Sequence, residues 1–120
     1  ASRKNLYERY ARAFGNTIIE FPRMLPKTKH ACHMFVIWVN AGKRDKIREL
    51  LGRAGVETSI HYNPIHLEPY YKRAFGYKKG DFPIAEKLGF STITLPLNVK
   101  MTQKEQDYVI GKVIETVKGI

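Results

Sequence analysis

Leu6, Tyr10 and Phe14 recur at every fourth position, while Arg3, Lys4, Glu8, Arg9 and Arg12 take the other face. That spacing predicts an amphipathic helix with one apolar stripe, capped at its start by Ser2 and ended by Gly15-Asn16. Thr17 to Phe21 reads as a short extended piece running toward Pro22 and Pro26, because the residue before each proline is pushed out of helical geometry. The run CHMFVIWV, from Cys32 to Val39, is rich in apolar, β-branched and aromatic residues. It predicts a strand buried on both faces.

Ala41-Gly42 turns the chain into a helix from Lys43 to Ala54, with Ile47, Leu50, Leu51 and Ala54 on one face and Gly55 as a left-handed cap. Val56 to Tyr62 predicts a second strand, which delivers the chain into NPIHLEPYY. A short helix follows from Pro69 to Phe75, ended by Gly76, and Asp81 is placed to cap another from Phe82 to Leu88. Ser91 to Leu95 (STITL) predicts a third strand, stopped by Pro96. Thr102-Gln103-Lys104-Glu105 has the capping-box pattern, and Val109, Ile110, Val113, Ile114 and Val117 continue it at helical spacing. Strands alternating with helices in this way predict an α/β fold, a small sheet of about three or four strands with helices packed mainly on one face.

Length and composition narrow the setting. A chain of 120 residues is the size of one domain with one core. Its longest apolar run, Met34 to Val39, falls far short of the roughly 20 residues that span a bilayer, and no membrane association is expected. A single cysteine, Cys32, has no internal disulfide partner, which agrees with a reducing, cytoplasmic location; within an apolar run it is expected to be buried and inert. The net charge of +10 is uneven: residues 1–53 carry twelve Lys/Arg against four Asp/Glu, and residues 54–120 nine against seven. Such a balance attracts anions without choosing among them.

Candidate chemistry concentrates in HYNPIHLEPYY, residues 61–71. Its histidines and tyrosines stack and hydrogen-bond while its prolines restrict the backbone, so it suits either a rigid wall of a binding site or an aromatic corner. His30, Cys32 and His33 are poorly spaced for a metal: in a strand the first two point one way and His33 the other, and no second ligand pair completes four. Basic charge with Tyr7, Tyr10 and Phe14 suggests nucleic acid, but no helix-turn-helix, zinc-finger or RNP-type motif accompanies it. Asp45, Glu57, Glu68 and Asp81 lack partners at a spacing for acid–base work, and Asp45 most simply favours the start of a helix. Neither G-x-S-x-G, Walker A nor G-x-G-x-x-G occurs.

The run RDKIRELLGRAGVETSIHYNPIHLEPYY, then DFPIAEKLGFSTITLPL and a helix opening MTQKEQ, resembles the carboxy-terminal small domain of the DegT/DnrJ/StrS family of pyridoxal-phosphate-dependent sugar aminotransferases. HY-x-P-x-H at His61 to His66, Pro-x-Ala-Glu at Pro83 to Glu86 and Leu-Pro-Leu at Leu95 to Leu97 carry the match in this order. The resemblance implies the small domain of a fold-type I transferase, with residues 1–16 as the helix leaving a missing large domain and residues 17–120 as the small domain itself. It implies transfer of an amino group from an amino acid to a keto sugar nucleotide by a complete enzyme, commonly a homodimer. In the family the large domain holds pyridoxal phosphate through a Schiff-base lysine, a carboxylate at the pyridine nitrogen and a stacking side chain. No lysine here lies in that context, so no cofactor is expected on this chain alone and it is expected to be inactive by itself. His61 and Tyr62 are the implied substrate contacts, supported by Asn63 and His66. The alternative is a free-standing anion- or protein-binding module derived from such a domain.

Overall fold

The computed structural model describes residues 2–120. Helix α1 spans Arg3–Phe14, and the Ser2 side chain accepts from the Asn5 N–H at its start. Leu6, Tyr7, Tyr10 and Phe14 are buried. Strand β1, Phe35–Trp38, pairs antiparallel with β2, Thr92–Leu95, in the register Phe35 with Leu95, Val36 with Thr94, Ile37 with Ile93 and Trp38 with Thr92. Helix α2 spans Arg44–Arg53, α3 Pro69–Phe75, α4 Pro83–Ser91 and α5 Gln103–Gly119.

This is the α/β class predicted, with a narrower sheet. Two strands form the ladder, and each edge is extended by one antiparallel bridge, Glu20 to Trp38 on one side and Ser59 to Thr94 on the other. The predicted strand Val56 to Tyr62 is therefore corrected to an extended segment touching the sheet only at Ser59. The predicted strand Cys32 to Val39 shortens to four residues, because Cys32 takes a left-handed φ of 53° and donates its N–H to His30 Nδ1. That local turn breaks the extended run before Phe35. Cys32 itself is buried, as expected.

Register assigns the two faces of the sheet. Phe35, Ile37, Ile93 and Leu95 share one face and are almost fully buried. Against them lie α1, α2 and α5: Phe35 packs on Tyr7, Tyr10 and Phe14 at ring separations of 4.8, 5.0 and 5.9 Å, and Ile47, Leu51, Val109 and Val113 complete the core. Burial raises the Tyr10 hydroxyl well above its ordinary pKa, and that hydroxyl donates to the Pro96 carbonyl at 2.5 Å. At α5 the capping box is complete, with Thr102 and Glu105 exchanging side-chain to backbone hydrogen bonds; such a cap contributes about 0.5–2 kcal/mol.

The opposite face carries Val36, Trp38, Thr92 and Thr94. Helix α4 and the segment around residues 61–66 approach it, with Pro22, Tyr71 and Phe75 at its margins. Strand β1 is accordingly buried on alternate residues and half-exposed on the others, which corrects the expectation of burial on both sides. Helices do pack mainly on one face, and the other is left open as a groove.

Candidate functional site

Three local features shape the groove. Helix α4 begins with Pro83 in its first turn, where the missing N–H costs nothing. Asp81 does not cap it, contrary to the sequence expectation: its carboxylate instead accepts from the Lys78 N–H at 2.9 Å. The donors at this end are met by Glu86, which reaches back to the N–H groups of Phe82, at 3.3 Å, and Gly80, at 2.9 Å from Oε2. At the other end Arg44, itself buried, donates to the carbonyls of Gly89 and Thr92, both at 3.1 Å. It thereby satisfies groups that a helix end leaves open. In sequence Arg44-Asp45 signals only a helix start; the tie of Arg44 to α4 depends on long-range packing.

The four residues singled out in HYNPIH all line one groove, about 800 Å³ in volume, whose floor is Val36, Trp38 and Thr92. His61 is half-buried, and its Nδ1 lies 2.8 Å from Thr94 Oγ1. Tyr62 is 68% exposed and stands edge-on to His61, with ring centroids 4.9 Å apart. The peptide bond between them is cis. Asn63 is exposed, and Pro64 is buried against α4.

His66 is different. It is 6% exposed and its Nε2 lies 3.1 Å from a Glu86 carboxylate oxygen that is nearly as buried. Burial pushes the Glu86 carboxyl up, but hydrogen bonds from Gly80, His66 and Phe82, with the charge of His66, outweigh it and hold the group below its ordinary value. Phe82 and Tyr77 stand edge-on to the His66 ring at 4.9 and 6.4 Å. Sequence reasoning placed Glu86 in a motif without giving it a partner; the signal was a lone acid four residues after Phe82, able to reach back over the first turn.

The groove wall continues through Tyr71, Phe75 and Phe82, and no Lys, Arg, Asp or Glu lines it. The basic excess of residues 1–53 is therefore not gathered there. On the floor, Thr92 Oγ1 is buried without a hydrogen-bond partner among the described residues. Aromatic walls over a floor with a few hydroxyl and imidazole groups suit a ring that is apolar on its faces and polar at its edge. They do not suit the seat of pyridoxal phosphate, which needs a lysine for the Schiff base and a carboxylate at the ring nitrogen. Among the described residues no group of three or more His, Cys, Asp or Glu side chains comes together to hold a metal, and no helix is long and apolar enough to cross a membrane.

A two-stranded sheet carries three helices on one face and this groove on the other, an α/β arrangement shared with aminotransferases of known structure. Residues 1–114 match the model of the DegT/DnrJ/EryC1/StrS aminotransferase family, and the chain belongs to that family. It is 38% identical over 96 residues to the spore coat polysaccharide biosynthesis protein SpsC of Bacillus subtilis, covering 76% of this chain and 25% of SpsC. It is 31% identical over 103 residues to the dTDP-3-amino-3,4,6-trideoxy-alpha-D-glucose transaminase of Streptomyces venezuelae, covering 85% of this chain and 26% of that enzyme. Among solved structures it superposes on Spr1654 of Streptococcus pneumoniae, assigned as a sugar aminotransferase and crystallised in its PMP form. That match has a TM-score of 0.90 and 26% identity, over 98% of this chain and 30% of Spr1654. The chain thus spans between a quarter and a third of the length of these relatives.

Proposed function

We propose that the chain is the C-terminal small domain of a pyridoxal-phosphate-dependent aminotransferase that moves an amino group from an amino acid to the keto carbon of a nucleotide-linked sugar, leaving the donor as a keto acid. One observation carries the assignment of the site: His61, Tyr62, Asn63 and His66 line a single groove with aromatic walls and no charged residue. In this reading His61 and Tyr62 touch the sugar nucleotide, Asn63 supports them, and His66 holds the segment from behind. The S. venezuelae relative, named as a dTDP-sugar transaminase, supports the substrate class.

The cofactor would be held by a large domain outside these residues, because the groove offers no lysine or carboxylate to it. Residues 1–16 would serve both as the helix leaving that domain and, through Tyr7, Tyr10 and Phe14, as part of the core of residues 17–120. A homodimeric cytoplasmic enzyme is the setting this reading implies. The other reading is a free-standing anion- or protein-binding module derived from such a domain; a groove without Lys or Arg offers no support to its anion-binding form.

Fusing the chain behind a cofactor-binding domain of the family, then supplying glutamate, pyridoxal phosphate and a dTDP-linked keto sugar, tests the proposal. An amino sugar nucleotide should form. A folded, cofactor-loaded fusion that aminates none of a panel of nucleotide-linked keto sugars would overturn it.

A further inference from the structure

Helix α4 grips the HYNPIH segment at two points. Glu86 and Gly89 are three residues apart and so lie on one face of the helix. The first grip is polar, between the Glu86 carboxylate and His66 Nε2. The second is steric: a Cβ placed on Gly89 would lie 2.7 Å from Pro64 Cδ and 2.9 Å from Pro64 N, so only glycine lets the segment come this close. Beyond the groove floor the other end of the segment is held too. Ser59 and Thr94 exchange backbone hydrogen bonds of 3.1 and 2.8 Å, and His61 meets the Thr94 hydroxyl. Tyr62 and Asn63, both exposed, hang between these two anchorages.

We propose that Glu86 is a positioning residue for the substrate segment, acting through His66, with Gly89 as the second grip. This rests on reading residues 61–66 as the substrate-contacting segment. A carboxylate suits the task because three donors converge on it, the Gly80 and Phe82 N–H groups and the imidazole, and only an ionised acid is an acceptor at both oxygens. Oε2 takes all three, while Oε1 meets Gly80 alone. An amide with its oxygen in the Oε2 position keeps most of the arrangement. Removing the carboxylate altogether leaves His66 buried without its partner and the α4 end of the segment held only by the Gly89–Pro64 contact.

The test is solution NMR and hydrogen exchange on the chain, with Glu86→Ala, Glu86→Gln, Gly89→Ala and the double variant Gly89→Ala/Pro64→Ala. Glu86→Ala should shift or broaden the resonances of His61, Tyr62 and Asn63. It should also speed exchange at the Gly80 and Phe82 amides about tenfold or more, with core amides such as Val113 unmoved. Glu86→Gln should leave the resonances of residues 61–63 near those of the parent. Gly89→Ala should displace the same three residues, and Pro64→Ala should restore them in part, because the Pro64 nitrogen remains close. A uniform loss of protection in Glu86→Ala, unrepaired in Glu86→Gln, would mark a merely structural acid and overturn the proposal, as would unchanged resonances at residues 61–63. Because these readouts need no substrate, they separate the proposal from the reading beneath it. If the grips behave as stated but His61 and Tyr62 variants leave the kinetics of the fused enzyme unchanged, that reading fails and the positioning device remains.

Discussion

His61 Nδ1 and Thr94 Oγ1 lie 2.8 Å apart, joining the substrate segment to the open face of the sheet. Thr94 is buried and its neighbours on that face, Val36 and Thr92, form the ladder and the groove floor. The hydroxyl fixes where the imidazole points and leaves Nε2 for another partner. Thr94→Val keeps the β-branched shape and removes only the hydrogen bond. It should cost about 0.5–1.5 kcal/mol in a denaturant titration and free the His61 ring. Unchanged stability together with an unchanged His61 ring environment by NMR would show that the contact holds nothing.

The two faces of β1 should respond differently to truncation. Ile37 is fully buried against the helices, whereas Val36 is half-exposed on the groove side. Ile37→Ala should cost about 2–5 kcal/mol through lost burial and a residual cavity, and Val113→Ala on α5 should also destabilise. Val36→Ala should cost clearly less than Ile37→Ala. A domain of this size has only about 5–15 kcal/mol to lose, so the difference in denaturant midpoint is measurable. Equal midpoints for Ile37→Ala and Val36→Ala would mean the core is misassigned.

Helical elements were legible in the sequence because their signals are local. Ser2, Gly55, Gly76 and the Thr102–Glu105 box each act within a few residues, and all four behave as predicted. Strand limits were not legible, since they depend on what lies opposite. Val56 to Tyr62 has strand-like residues but meets β2 only at Ser59, and the Cys32 run is cut by a turn that apolarity does not reveal. The same limit applies to the site. HYNPIH stood out by composition, yet Glu86, Gly89, Thr94 and Arg44, which hold it and its supporting helix, are distant in sequence and ordinary in type.

Acid should act through Glu86. Its carboxyl sits below the ordinary value near 4.5 in the folded chain, so the folded state binds that proton less readily than the unfolded one. The contribution is therefore fully present above the unfolded value and is lost as pH falls through the lower folded value. Stability of the parent, compared with Glu86→Gln by denaturant midpoint from about pH 6 down to about pH 3, should show a gap that narrows with acid. His66, Gly80 and Phe82 are the groups facing the carboxylate, and His66→Gln should reduce the same pH dependence. A gap independent of pH would show that ionisation of Glu86 contributes nothing to folding.

Pyridoxal phosphate should find no specific seat on these 120 residues. The groove lacks a lysine, and the lysines elsewhere are generic amines at their own positions. Titration with the cofactor should give at most slow, scattered modification of surface lysines, and glutamate should release no amino group to it. A stoichiometric adduct, trapped by borohydride and mapped to one lysine, would contradict this.

Substrate recognition by HYNPIH has to be tested where both substrates are present, in a fusion that restores the cofactor-binding domain. The two half-reactions make different demands on the groove. The sugar nucleotide is large and its ring would reach the aromatic walls and His61, while the amino donor is small and reacts against the cofactor. Tyr62→Phe removes one hydroxyl and His61→Ala one imidazole. Each should raise KM for the sugar nucleotide by an amount worth about 0.5–3 kcal/mol, the upper end applying if a charged group is the partner. The donor half-reaction should change less. Trp38, the only tryptophan in the chain, lies on the groove floor, so its fluorescence gives an independent reading of sugar-nucleotide binding. Equal losses in both half-reactions would mean that His61 and Tyr62 hold structure, and unchanged kinetics in both would make the segment an aromatic corner.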